Sequence, residues 1–309
     1  MSTAGNPADV VTTLPEAIET YVDDGDTLAF GGMGGRDPEA AAREILRQGV
    51  SGLTVVDDAR TTLFDMLVGA GAVDEYVGSW VGTSLISQGF NVRRAVEDDV
   101  PHHLQMRDVS NFGSSLLFFA AAMDVPFVPT RSMLGTDIPE HNDRLRALED
   151  PFGSGDEFTL VPAPDVDAAI IHVQRCDRRG NAQIFGNVVN DHLKARAAEH
   201  TIVTCEEIVP EGTIREHSAM TKLPFYTVDA VAEVPFGSHP WHVYGYYYAD
   251  LPFYRDYGLE SRDRESFIDW LDEWIVPHEE YLEKVGADRL ARLEDLEGQL
   301  NQVPEVPTP

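Results

Sequence analysis

The sequence reads as an α/β protein with a mostly parallel central sheet and helices on both of its faces. Three observations lead there. Extended and helical patterns alternate from the N-terminal region to about residue 240. The extended segments, such as Ala168-Ala169-Ile170-Ile171, are short continuous apolar runs, which marks strands buried on both faces. Turn residues punctuate the junctions: Asp23-Asp24-Gly25-Asp26, Gly31 to Gly35, Gly49 and Gly180-Asn181.

Taken in order, Pro15 to Val22 reads as a helix and Thr27 to Phe30 as a short strand. Asp37 is placed to cap the next helix, with Pro38 at its first position. That helix runs to Gln48 and stops at Gly49. Leu53 to Val56 is a strand, Phe64 to Val68 a short helix, and Tyr76 to Val81 a strand. Asn111 is placed to cap an apolar helix ending near Met123, and Pro126 to Pro129 leads into the polar loop Thr130 to Asp137. Strands are expected at Ala168 to Val173, Ala182 to Phe185, Thr201 to Cys205 and Val228 to Glu233, with a helix over Asp191 to Glu199. After Pro240 comes an aromatic segment, Trp241 to Tyr254. A helix follows with Phe267, Trp270, Leu271, Trp274 and Ile275 on one face. The tail from Asn301 is proline-rich and reads as a frayed end. The chain is read as one domain over 1–309 with an aromatic and helical extension from about 241; the segment Asp137 to Phe158 is the one internal candidate for a boundary.

The formal net charge is −30, from 53 acids against 23 bases, and only Lys194, Lys222 and Lys284 are lysines. Such a surface repels phosphate backbones and anionic lipids, so nucleic-acid and membrane partners are not expected. It suits a protein kept soluble in concentrated salt, where the Debye length shrinks to about 3 Å near 1 M. A halophilic source is therefore expected. Cys176 and Cys205 make neither a disulfide framework nor a zinc set and read as small core residues. MSTAGNPADV has no basic n-region or apolar h-region, and the longest apolar run, Leu116 to Met123, is too short to span a bilayer. A soluble, cytoplasmic protein is expected.

The densest polar stretch is Asp167 to Gly186, where an apolar strand ends in His172, Gln174, Arg175, Asp177, Arg178 and Arg179. Open α/β sheets build sites at such strand ends; a charged loop after a core strand is the competing reading. GGMGGRDP, from Gly31 to Pro38, joins a strand to a helix, so a ligand can approach the backbone closely there. It lacks both the GxGxxG spacing and a Walker lysine. It is either a structural turn or a backbone surface for a thioester or carboxylate. Thr83 and Ser84, in VGTS after a strand, suit holding a substrate carboxylate or capping a helix. Arg131 either clamps a carboxylate bidentately or pairs with a neighbouring acid. His239 and His242, in FGSHPWH, lack the further ligands a zinc site needs. No metal is expected. Glu206-Glu207 is either a general base or a solvated acidic pair.

These segments together resemble the alpha subunits of family I coenzyme A transferases, the glutaconate CoA-transferase group in particular. The resemblance is carried by Gly25-Asp26 with Phe30-Gly31-Gly32, by Glu44 to Gly49 and by Phe127-Val128-Pro129. Pro164 to His172, Thr201 to Ile208, Val228 to Val231, Pro235 to Pro240 and Glu279 to Ala287 follow in the same order. It spans roughly residues 14 to 290. It implies a three-layer α/β/α fold, no cofactor beyond the coenzyme A thioester taken as substrate, and an obligate beta subunit carrying a nucleophilic glutamate. This chain then supplies no catalytic nucleophile. It contributes a wall of the site from Gly31, Gly32 and Ser84, the last standing where the family has a substrate-facing serine, and Arg131 is added as a carboxylate clamp.

Two departures from the family pattern bear on the substrate. Trp241 follows His239-Pro240 where the family has serine, and Met33-Gly34-Gly35 replaces bulkier polar residues. A ring-opening acyl-CoA hydrolase branch shares the fold and uses an alpha-subunit glutamate. The matching segment here, Arg107-Asp108-Val109-Ser110, has none, though Asp108 is a carboxylate. A non-catalytic scaffold for the beta partner is the remaining alternative.

Overall fold

The computed structural model describes residues 9–82 and 89–300. Its main sheet has nine strands: β1 (Thr27–Phe30), β2 (Leu53–Val56), β3 (Val73–Gly78), β4 (Gln105–Asp108), β5 (Val166–Cys176), β6 (Ala182–Gln183), β7 (Ala198–Ile208), β8 (Thr221–Leu223) and β9 (Ala230–Glu233). Seven run parallel in the order β9-β7-β5-β1-β2-β3-β4. The short β6 pairs antiparallel with the last two residues of β5, where β5 outruns β1, and β8 pairs antiparallel with β6.

Period-two alternation divides the core into two sides. Leu28, Phe30, Ala168 and Ile170 face the helices Leu14–Tyr21, Glu39–Gln48, Thr62–Ala70 and Phe90–Glu97. Ala29, Ala169 and Ile171 face the other way, toward the helices Asn111–Ala122 and Asp191–Ala197. The result is the expected three-layer α/β/α arrangement. In the extension, Phe267 is fully buried and Trp270, Leu271 and Ile275 pack on the first side of the core, while Trp274 joins a satellite cluster with Phe253 and Tyr281.

Several local expectations are corrected. Asp37 does not cap the helix that begins at Glu39, because its carboxylate is engaged by Gly35 N and Arg60. Ser110, not Asn111, caps the apolar helix, accepting from Gly113 N at 3.0 Å. The expected strand Tyr76 to Val81 is broken at Ser79, and Trp80–Val81 pairs instead with Ala59–Arg60. The segment Asp137 to Phe158, which the sequence leaves as a linker or a surface excursion, carries a strand of its own. Arg146–Glu149 pairs with Glu157–Pro162, which pairs with Phe127–Thr130, in a small antiparallel sheet packed on the core through Leu145 and Val161. The proline-rich tail from Asn301 lies outside the described residues. Among those residues no helix is long and apolar enough to cross a membrane.

Candidate functional site

The carboxyl ends of the parallel strands converge on the turn after β1. A Cβ on Gly31 would lie 2.8 Å from Ile171 Cγ2, so only glycine lets this turn cross β5 so closely. Gly32 sits at φ 70°, and a Cβ there would lie 2.6 Å from the backbone of Arg36. Both amides are used internally: Gly31 N donates to Ile170 O at 2.8 Å and Gly32 N to Asp191 Oδ1 at 2.9 Å. Gly31 and Gly32 are thus buried with their N–H groups spent inside the fold, and the exposed Met33 and half-buried Gly34 are what the turn presents to a ligand.

A buried ionic lattice holds the turn from beneath. Arg60 donates to Gly31 O at 3.0 Å, Gly32 O at 2.9 Å and Asp37 Oδ1 at 3.0 Å, and also to Phe30 O. Its Nε lies 2.5 Å from Asp57 Oδ2. Lys194 donates to Phe30 O at 2.8 Å and to Asp57 Oδ1 at 2.6 Å, with Asp58 Oδ2 at 2.8 Å. Arg36 pairs with Asp191 at 2.9 Å and donates to His172 O and Asn187 O. Burial alone would raise the Asp58 carboxyl; the charge and hydrogen bond of Lys194 bring it below its usual range. Burial would likewise lower the Lys194 ammonium, but Asp57 and Asp58 raise it above its usual range. Arg60 and Lys194 each face two carboxylates, which offsets part of the cost of burying their charges.

The polar end of β5 locks further elements to this edge. His172 lies between Thr204 Oγ1 at 2.8 Å and Glu206 Oε1 at 2.7 Å. Glu206 also accepts from Tyr247 OH and from Phe236 N. With both oxygens engaged, Glu206 ties the end of β7 to His172, Phe236 and Tyr247. Gln174 Nε2 donates to Phe185 O at 3.0 Å and Tyr244 O at 3.2 Å, while its Oε1 accepts from Phe185 N at 3.1 Å. Next to the glycine turn this leaves a cavity of about 260 Å³, walled by Met33 to Arg36, by Phe185, Gly186, Asn187 and Val189, and by His242 with Tyr244.

Of the residues singled out in the sequence, Gly31 and Gly32 stand at this edge. Ser84 and its neighbour Thr83 lie outside the described residues. Arg131 adjoins Ser132, whose hydroxyl meets Ser110 Oγ at 2.8 Å, but its guanidinium is turned to Asp156 and the Phe158 ring. His239 is tied between Tyr281 OH at 2.6 Å and Asp250 Oδ2 at 3.1 Å. Among the described residues no group of three His, Cys, Asp or Glu side chains is arranged to hold a metal ion. Lys194, Asp57, Asp58, Arg60 and Asp191 were not anticipated. The available signals were a lysine in a chain with three, and a pair of acids directly after a buried strand.

This architecture and its glycine turn belong to a defined class. The family profile described as Coenzyme A transferase matches residues 11–234, and the chain belongs to that family. It is 36% identical over 308 residues to the alpha subunit of glutaconate CoA-transferase of Acidaminococcus fermentans, a match covering 93% of this chain and 95% of the relative. It is also 36% identical to the alpha subunit of 3-oxoadipate CoA-transferase of Pseudomonas knackmussii, over 85% of this chain and 92% of that one. The crystal structure of glutaconate coenzyme A-transferase from Acidaminococcus fermentans superposes with a TM-score of 0.86 at 35% identity, covering 92% of this chain and 95% of that chain.

Proposed function

We propose that this chain is the alpha subunit of a heteromeric CoA-transferase that moves CoA between an acyl-CoA and a small carboxylic or dicarboxylic acid. The observation that carries this reading is the near full-length identity to the alpha subunits of two enzymes, both named for dicarboxylic acids. The nucleophile is assigned to a glutamate of the beta subunit. Its carboxylate attacks the thioester carbonyl and CoA leaves as thiolate, giving a mixed anhydride. The thiolate attacks the glutamyl carbonyl of that anhydride, releasing the first acid and leaving a glutamyl-CoA thioester. The second acid then takes the CoA by the same steps reversed. Oriented donors that stabilise the oxyanions are the remaining requirement.

In this reading the chain contributes one wall. Gly31 and Gly32 set a close, side-chain-free turn, Ser84 faces substrate, and Arg131 engages a carboxylate once it releases Asp156. Coenzyme A enters as a substrate, with no further cofactor. A cytoplasmic location and a salt-rich source are proposed from composition and the net charge of −30. The test is to purify the chain alone and with the product of the adjacent reading frame. Transfer activity in the pair alone, lost when one partner glutamate is replaced, supports the reading; transfer by the lone chain overturns the partner-borne nucleophile. Unchanged kinetics and assembly in Ser84→Ala would remove that residue from the wall.

A further inference from the structure

The cavity beside the glycine turn is closed by residues outside the 11–234 stretch that the family profile matches. Trp241 is 5% exposed and its Nε1 donates to Thr62 Oγ1 at 3.0 Å, so it anchors the start of the extension to the core. That anchor fixes its neighbour. His242 O accepts from Arg36 N at 3.0 Å, and the His242 ring lies against Gly35, where a Cβ would come within 2.7 Å of its Cε1 and Nε2. Gln174 ties the opposite wall, Phe185, to Tyr244 through its three hydrogen bonds. Hydrogen bonds thus tie both walls to the core. The His242 imidazole makes no hydrogen bond to any of the described residues, whereas Arg36 behind it already commits Nη1 to Asp191 and His172 O and Nη2 to Asn187 O.

We propose that this cavity is the subsite for the non-reacting carboxylate of a dicarboxylic acid, with a His242 ring N–H donating to it and Met33 and Phe185 flanking its carbon chain. The inference rests on the CoA-transferase reading above. When CoA moves to a diacid, one carboxylate becomes the thioester and the other keeps its charge. That second charge needs a donor if it is to leave water. At about 260 Å³ the cavity falls just below the range of roughly 300–1,000 Å³ that takes drug-sized ligands. It fits a short acid and not the nucleotide end of CoA. Burial holds the His242 imidazole below its ordinary range, so near neutral pH the ring is uncharged and still offers one N–H.

The test uses the complex of this chain with its partner subunit. Acetyl-CoA is the donor, and glutarate and butyrate are compared as acceptors. The readout is the ratio of kcat/KM for glutarate to that for butyrate. His242→Ala is expected to lower this ratio about tenfold or more, chiefly through KM for glutarate. His242→Gln, which keeps a donor, is expected to restore part of it. An unchanged ratio in His242→Ala overturns the subsite, as does a wild-type complex that uses butyrate but not glutarate. If the wild-type complex transfers CoA to neither acid, the transferase reading fails separately. Glutarate titration calorimetry on the same complexes then decides the subsite: saturable binding weakened about tenfold by His242→Ala supports it, and no wild-type binding overturns it.

Discussion

Lys194 Nζ lies 2.6 Å from Asp57 Oδ1 across 137 residues of sequence, and neither side chain is reached by solvent. The contact joins the helix Asp191–Ala197 to the end of β2 beneath the glycine turn. Lys194→Met leaves Asp57 and Asp58 with one fewer cation in a buried setting. We expect a loss of about 3–5 kcal/mol, read as a lower urea midpoint at unchanged m-value. A loss below about 1 kcal/mol, the range of exposed pairs, contradicts a buried lattice.

The turn itself is tested by two alanines. Gly32→Ala puts a Cβ 2.6 Å from the Arg36 backbone at φ 70°, whereas Gly34→Ala, at φ 64°, meets nothing within 4 Å. Gly34→Ala is expected to cost about 1–2 kcal/mol, the left-handed backbone penalty alone. Gly32→Ala adds overpacking of about 1–3 kcal/mol to the same penalty. Thermal melts should rank the two in that order; equal losses would contradict the described turn.

Glu39 gives a pH test. It is buried against Thr62 Oγ1 at 2.5 Å, and burial pushes its carboxyl up to about 8 from 4.5. Between those values the unfolded chain gives up a proton that the folded chain keeps. The contribution of Glu39 to stability therefore falls as pH rises from 4.5 to 8. Glu39→Gln removes the ionisation, so the stability of this variant relative to the parent should climb across that window. A difference that stays flat by denaturant titration contradicts the raised carboxyl.

The surface predicts a salt response. With a net charge of −30, self-repulsion is strong in dilute buffer and screened in concentrated salt. Raising KCl from about 0.1 M to 2 M is expected to add ~2 kcal/mol, or about 3 °C in Tm for a chain of this size. A melting temperature that does not move would mean the acids carry no repulsive cost.

Much of the scaffold was legible because it is written locally. The short, β-branched apolar runs at β5 and β7 pointed to buried strands, and Gly49, at φ 78°, ends its helix where the sequence puts it. The glycine turn was legible as a close approach, but not that Ile171 and Arg36 are what it approaches. Asp37 reads as a cap on sequence spacing alone; the guanidinium that claims it, Arg60, lies 23 residues away. Gln174 looked like part of a reactive cluster, yet it bridges Phe185 and Tyr244, a link of 70 residues to the latter. Trp241 broke the family pattern without a visible reason until its bond to Thr62 showed it seating His242 at the cavity. Sequence patterns carry backbone periodicity well and long-range side-chain partnerships poorly, and the site is made of the latter.

The most direct test of the account follows the fate of CoA in the two-subunit complex. Acetyl-CoA and glutarate are incubated with it in heavy-oxygen water and the products are resolved by mass spectrometry. Transfer through the anhydride predicts glutaryl-CoA and acetate in equal amounts, with no solvent oxygen in the acetate. Free CoA accumulating with labelled acetate, and no glutaryl-CoA, would contradict a CoA-transferase.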